Sequence, residues 1–495
     1  MKKLALWLAA LLMLLTAASA SALTVTGYDA DTSGRAWETS KFFARMEEMT
    51  GVAVQAQAVN EEKAYQKLVD GMAGGKVTAD VLFKAELSRS EEKQLLGAGA
   101  IIDLAPMIEA NMPNLSALLA QNPQWKEIIA LEDGRIASLP MINSAERQVC
   151  VWINTSWLKA LGLDMPKNTQ ELTDALLAFM AKDPNGNYKA DEIGADMLGV
   201  WEMRWLLPYF GIAADDYHIA RVDGGAVFAP ELPAYRDFVA LLREWVNKGV
   251  LSRDAFTSVH SSALYNTESD ANAVAASGLM VSVTPFTHVP VNAITQYEAL
   301  LLPDASGETV WRDFLGQVWP GTFAVTSACA DPAAALRWVD ALYTEEGAKL
   351  AYAGMEGEDY VFNADGCWEF VVDSMRTVDN IRAEVLMYTG ATMPGVAPND
   401  FLAKVASAPD RHIIAQNAKV QAAAQQITRP YALGDAKQAR ANALATEIGR
   451  LVDEGIARFA TGEVELSDEN WDAWLAQLRE AGSEELTAIF DAVQE

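Results

Sequence analysis

Basic side chains are scarce in this chain, with 38 Lys and Arg against 67 Asp and Glu for a formal net charge of −29. A field of that sign repels nucleic-acid phosphates and anionic lipid headgroups, which excludes both as general partners. Cysteine is scarcer still: Cys150, Cys329 and Cys367 stand far apart. Neither a disulfide framework nor a zinc site of close ligand spacing is written here. Three small buried hydrophobes are one reading, and a single Cys329–Cys367 bridge is another. The four histidines, His218, His260, His288 and His412, are scattered, with no metal-ligand partner at close spacing. There is no Gly-x-Ser-x-Gly elbow, His-Glu-x-x-His helix, P-loop or dinucleotide glycine motif. Internal repeats and low-complexity linkers are missing too, and no mature segment is apolar enough to span a bilayer.

What is present opens with a secretory leader over residues 1–22. Lys2-Lys3 is its basic head, Leu4 to Leu15 its apolar run, and the small residues around Ala18 to Ala22 its cleavage site. Losing Lys2 and Lys3 with the leader takes the formal charge to −31. The mature chain is expected to be soluble in the periplasm or extracellular space, without a lipid-anchor cysteine.

At 495 residues the chain exceeds a single core, and two globular units are expected. The first half alternates strand and helix. Leu23 to Thr26 and Val52 to Val59 alternate apolar and polar residues, and Ala79 to Phe83 is a short apolar strand. Helices are predicted from about Arg35 to Gly51 and from Glu61 to Met72. Such alternation predicts an open α/β sheet with helices on both faces and ligands beyond the carboxyl ends of its strands. That places Tyr28 and Asp29 at a cleft edge.

The stretch from Asp133 to Leu163 is where two lobes are expected to meet. A strand from Arg135 to Leu139 is predicted to stop at Pro140, and a second runs from Val149 to Ile153 into a helix near Thr155-Ser156. The polar link between them carries Asn143, Glu146 and Arg147, a natural hinge and cleft floor. Crossovers here, near residue 321 and near Tyr388 give an interwoven organisation. One lobe is 23–145 with 322–388, and the other is 146–321 with 389–495.

Asp183, Asn185, Asn187, Asp191 and Glu192 put side-chain oxygens at positions 1, 3, 5, 9 and 10 of a short loop, with the Lys189 carbonyl at position 7. Hard cations take six to eight oxygens from a curled backbone. Tyr188 stands where an EF-hand has glycine, and position 12 is Gly194 rather than a bidentate Glu. From the residues alone, an Asx-rich turn is an equal alternative to a calcium loop.

Thirteen tryptophans follow the leader. Trp37, Trp157, Trp245, Trp338, Trp471 and Trp474 fall in amphipathic helices and are predicted to be core. Trp201 and Trp205 share a helical face, which reads equally as core or as a platform for the C–H face of a sugar. Phe286 and Trp319 lie at strand ends beside Pro285 and Pro320-Gly321, where a ring can face a ligand. Arg147 has the shape to grip a carboxylate, and Tyr388 can stack.

The block order DGRIASLP (133–140), WINTSWLKALGLDMPKNTQEL (152–172), DPNGNYKADEIG (183–194), YTEEGAKLAYAGMEGEDYVFNADG (343–366) and FATGEVELSDENWDAWLAQLREAG (459–482) spans nearly the whole mature chain. It resembles the bacterial extracellular solute-binding proteins of family 1, in the branch with alginate-oligosaccharide-binding proteins and Gram-positive sugar lipoproteins. The resemblance implies an α/β, helix-rich, two-lobed type II periplasmic-binding-protein fold with hinge crossovers. It further implies delivery of a carbohydrate to the permease of an ATP-binding-cassette importer. It places a structural Ca2+ site at the 183–192 loop and sugar-stacking rings of the second lobe near Trp201 and Trp205. The expected molecule is a monomeric, non-catalytic receptor. The alternative is a secreted carbohydrate hydrolase, in which a carboxylate pair such as Asp29 and Glu146 flanks a glycosidic bond.

Overall fold

The computed structural model describes residues 22–31, 35–143, 148–261, 274–313, 318–389, 392–425, 433 and 435–491. The leader at 1–21 and the hinge residues Glu146 and Arg147 lie outside the described residues. Two compact units divide the chain, Met1–Ser144 with Val318–Phe401 and Ala145–Gln317 with Leu402–Glu495. Residues 318–321 and 389–401, assigned from sequence to the second lobe, belong to the first. Both stretches carry strands of its sheet.

Ten strands form the two main sheets: β1 (Leu23–Tyr28), β2 (Val54–Val59), β3 (Val81–Phe83), β4 (Leu139–Ile142), β5 (Cys150–Asn154), β6 (Ile193–Asp196), β7 (Ser277–Ser282), β8 (Tyr297–Ala299), β9 (Val318–Val325) and β10 (Gly395–Val396). The first unit holds a six-stranded sheet in the order β10-β4-β9-β3-β1-β2. All its pairs are parallel except those of β9, which runs antiparallel to β3 and β4. The start of β9 therefore shares an edge with the carboxyl ends of β1, β3 and β4.

Every residue of β3 is buried, as a continuous apolar run in a sheet covered on both faces should be. A Cβ on Gly27 would sit 1.6 Å from the Phe83 carbonyl oxygen. Only glycine lets β1 and β3 approach this closely. On the sheet, Trp37, Phe42, Phe43, Phe83 and Trp338 form one aromatic cluster. The helix carrying Phe42 and Phe43 is Lys41–Thr50, later than the predicted Arg35 because Trp37–Thr39 forms a 3-10 turn first. Ser40 caps it by accepting the Phe42 N–H, and Gly51 ends it at φ 70°.

The strand expected at 135–139 lies instead at Leu139–Ile142, with Pro140 inside it. Its pairing with β9 shifts register between Trp319 and Phe323. A proline is tolerated at such a bulge because no ladder N–H is needed there.

The second unit has a four-stranded sheet in the order β8-β5-β7-β6, with β5 wholly buried between β8 and β7. Asn154 caps helix Thr155–Leu161, and Asn168 caps helix Thr169–Ala181. Helix Pro233–Lys248 packs on the long helix Asp435–Thr461. The long helix also receives, from helix Asp468–Glu480, Trp474, whose indole Nε1 would lie 2.1 Å from a Cβ on Gly455. All six tryptophans predicted as core are buried, and the three cysteines are free. Among the described residues, no helix is long and apolar enough to cross a membrane.

Candidate functional site

In the first unit, the carboxyl ends of β1, β3 and β4 bring Tyr28, Asp29, Lys84, Glu86 and Asn143 to one sheet edge, beside Trp319 at the start of β9. Asp29 lies there with no solvent exposure. Its Oδ2 accepts from Arg35 Nε at 2.8 Å and Trp37 Nε1 at 2.6 Å, and its Oδ1 accepts from Arg35 Nη2 at 2.6 Å, with Lys84 Nζ at 3.4 Å. Burial alone would raise the Asp29 pKa, but the Arg35 hydrogen bonds and the Lys84 and Arg35 charges hold it below the ordinary carboxylate value. Burial pushes Lys84 down to about 8 against the pull of Asp29.

The same two cations fasten the segment 386–389. Lys84 donates to the carbonyls of Met387 and Thr389, and Arg35 donates to the Leu386 carbonyl and to Thr389. Asp29 is therefore not a ligand contact as expected from the sequence. Its oxygens accept from Arg35, Trp37, Lys84 and the Asp31 N–H, all within the protein.

Tyr28 is half-buried, its ring stacked on Tyr65 at 5.5 Å and 24°. The Tyr65 hydroxyl donates to the Ala85 carbonyl at 2.7 Å. Glu86, next in the chain, is exposed and accepts the Thr392 N–H at 2.8 Å. Lys84 and Glu86 both have left-handed backbones, at φ 54° and 46°. That conformation costs a non-glycine residue about 1–3 kcal/mol and clusters at functional sites. Trp319 is half-buried, Asn143 is buried, and Tyr388 stacks on Tyr352 at 4.8 Å and 8°. Sequence reading missed Arg35, Tyr65, Lys84 and Glu86. The one signal available was a lysine directly after the apolar run Val81-Leu82-Phe83.

In the second unit, Trp201 is half-buried and donates its indole N–H to Asp216 at 3.2 Å. Trp205 departs from the expectation of a sugar platform. It is 1% exposed, packed edge-on against Trp201, and capped by the Arg312 guanidinium 3.8 Å from its ring centroid. Phe286, just past β7, is 37% exposed.

At the end of β6, Asp196 accepts from His288 Nδ1 at 3.1 Å and from the Ser261 hydroxyl, and Glu202 lies 3.6 Å from His288 Nε2. Burial would discharge His288, but the Asp196 hydrogen bond and the nearby Glu202 and Asp196 charges raise its pKa to about 9. This cluster was not anticipated.

The 183–192 loop follows helix Thr169–Ala181. Asp183 accepts the N–H groups of Asn187 at 3.0 Å and Tyr188 at 2.9 Å, Asn187 accepts that of Lys189 at 2.8 Å, and the Asn187 amide reaches both Asp191 oxygens at 3.0 Å. The Asn185 amide also reaches Asp191, at 3.3 Å. Tyr188 adopts φ 60°, so the backbone takes the glycine-like turn although the residue is not glycine. Among the described residues, no group of three or more His, Cys, Asp or Glu side chains is placed to hold a metal ion. A cation here would draw on the Asn185 and Asn187 oxygens and the Lys189 carbonyl as well as carboxylates. Two observations fit such a donor set. Glu192 Oε1 is buried with no hydrogen-bond partner. Burial first, and then the Asp191 and Asp183 charges, raise the Glu192 pKa.

Residues 32–349 match the family model of the bacterial extracellular solute-binding proteins. The chain belongs to that family. One curated relative, the fructooligosaccharide ABC transporter substrate-binding protein FusA of Streptococcus pneumoniae, is 31% identical over 224 residues. That match covers 43% of this chain and spans under half of FusA, 41%. Among solved structures, a human-milk-oligosaccharide (HMO) binding, ABC-transporter associated protein of Bifidobacterium longum infantis superposes with TM-score 0.78 at 19% identity, covering 95% of this chain and 97% of its own. A FusA EF-hand mutant in complex with fructo-nystose gives 0.71 at 21% identity, covering 95% and 98%. The alginate-binding protein AlgQ2, solved without calcium ion, gives 0.65 at 18%, covering 95% and 97%. These likenesses fix the fold as the α/β solute-binding type that the resemblance implied.

Proposed function

We propose that this protein is a non-catalytic extracytoplasmic receptor that captures an oligosaccharide and hands it to the permease of an ATP-binding-cassette importer. The observation that carries this reading is the strand edge of the first unit, where the half-exposed Tyr28 ring and the exposed Glu86 carboxylate stand beside Trp319. Sugars present flat C–H faces to rings and hydroxyls to carboxylates and amides. FusA and the human-milk-oligosaccharide protein, similar in sequence or in fold, are named for oligosaccharide binding. Asn143, Glu146, Arg147, Trp201, Phe286, Trp319 and Tyr388 remain candidate contacts in this reading. Ligand capture would work by closure of two lobes, each supplying part of the contact, so that binding shifts the population to the closed form. The 183–192 loop would hold a structural Ca2+, and the working unit would be a monomer.

Calorimetry of the full mature chain against fructo-, manno- and uronate oligosaccharides tests the reading. The expected result is saturable binding of at least one, with a smaller radius of gyration in X-ray scattering and no release of reducing ends. Failure of every sugar to bind, or turnover of any, would overturn it.

A further inference from the structure

The charges at the strand edge of the first unit are sorted by depth. Both cations there, Arg35 and Lys84, are sealed from solvent and paired with Asp29, with Asp31 3.4 Å from Arg35. Their remaining donors go to the carbonyls of Leu386, Met387 and Thr389 and the Thr389 hydroxyl. Neither is available to a ligand carboxylate. Among the described residues of this edge the exposed carboxylate is Glu86, which accepts from Thr392, through the backbone N–H at 2.8 Å and the hydroxyl at 3.5 Å. An ionised carboxylate has about four lone-pair sites, so acceptor capacity remains for hydroxyl donors.

Glu86 is also held where a glutamate does not fall by default. Its φ of 46°, two residues after the φ of 54° at Lys84, is a conformation glycine would adopt without strain. The chain on either side is fixed: Ala85 N–H donates to the Thr322 carbonyl and Leu87 N–H to the Gly321 carbonyl, both at 2.9 Å. The twist between those anchors turns the Glu86 side chain outward while Ala85 and Leu87 stay buried. Beside it stands a ring platform. Tyr65 is buried, bonded to the Ala85 carbonyl, and supports the half-exposed Tyr28 ring face to face.

We propose that Glu86 and the Tyr28–Tyr65 stack form a subsite for a neutral sugar unit. Vicinal hydroxyls donate to the Glu86 carboxylate while a C–H face lies on Tyr28. At this subsite a uronate is disfavoured, since its carboxylate would meet Glu86 while Arg35 and Lys84 stay sealed against Asp29. This inference rests on the carbohydrate reading above and sharpens it to a ligand class.

The test is calorimetry on the full mature chain with kestose, a neutral mannotriose and an alginate trisaccharide, for wild type, Glu86→Gln, Glu86→Gly and Tyr28→Ala. Wild type should bind a neutral trisaccharide at least tenfold more tightly than the uronate. Glu86→Gln should weaken the neutral sugar by about 10- to 100-fold, as loss of a charged acceptor predicts, with an unchanged melting temperature in the absence of sugar. Glu86→Gly should show the same loss of binding but melt higher, by about 2 °C, because the left-handed strain is relieved. Tyr28→Ala should weaken binding of the same sugar.

Unchanged affinity in Glu86→Gln or Glu86→Gly would make the strained residue a structural feature only and overturn the proposal. Tighter binding of the uronate would overturn it while leaving the carbohydrate reading standing. No binding of any sugar by wild type would end both.

Discussion

Arg35 and Asp29 meet in two parallel hydrogen bonds, Nε to Oδ2 at 2.8 Å and Nη2 to Oδ1 at 2.6 Å, with both side chains closed to solvent. The pair converts what looked like a ligand carboxylate into an internal counter-ion, and it ties the end of β1 to the segment at 386–389. Asp29→Asn would leave Arg35 and Lys84 facing each other without their shared anion. Removing one partner of a buried pair costs about 3–5 kcal/mol, and urea unfolding should show a loss of that size. The Asp29 pKa lies below its ordinary value, so its contribution is present above about pH 4 and fades as pH falls through the folded value. Asp29→Asn should lack that part of the acid limb. A loss under about 1 kcal/mol would mean that the pair is not the fastening described.

His288 predicts an alkaline limb instead. Its pKa is raised from 6.5 to about 9 by Asp196 and Glu202, with the Ser261 hydroxyl also on Asp196. Stability from a raised histidine is fully present below pH 6.5 and disappears as pH climbs through 9. The amount is on the order of 3 kcal/mol. Melting temperatures of wild type should fall over that range more steeply than those of His288→Gln, which should start lower and run flatter. Parallel curves would show that the imidazole is not charged in the folded protein.

The features that sequence made visible are those set by neighbours along the chain. β1, β2 and β3, the Gly51 stop and the core tryptophans all follow from local periodicity and capping. What escaped depends on distant partners. Lys84 finds Asp29 across 55 positions and Met387 across 303. Pro140 lies inside β4 because Trp319 and Phe323, far downstream, open a bulge opposite it. The spacing of Trp201 and Trp205 put both on one face but could not say that Arg312 would cover one of them.

That difference between the two tryptophans can be measured. Trp205 is buried among Trp201, Trp311 and Arg312. Trp205→Ala should cost about 3–5 kcal/mol, as cavity formation in a core does. Trp201→Ala removes a half-exposed ring and its bond to Asp216, and should cost about 1 kcal/mol. The two are ranked by chemical unfolding without ligand, and equal losses would contradict the burial described.

Calcium provides the last prediction, and it turns on Glu192 and Tyr188. Glu192 Oε1 is buried with no partner, and its carboxyl is raised by burial and by Asp191 and Asp183. A divalent ion bound by this loop would satisfy that oxygen and reverse the shift, so the folded state gains by RT ln(1 + [L]/Kd), about 2.7 kcal/mol at a hundredfold excess over Kd. Millimolar EDTA should therefore lower the melting temperature, and added Ca2+ should restore it. Asp183→Ala should melt lower and lose the response to either reagent, since Asp183 also holds the Asn187 and Tyr188 amides. Tyr188→Gly separates loop strain from metal binding. Tyr188 is 95% exposed at φ 60°, so glycine should stabilise the chain by about 1 kcal/mol while the EDTA response persists. If wild type melts at one temperature in EDTA and in Ca2+, the loop is an Asx-rich turn closed by its own hydrogen bonds and the metal assignment fails.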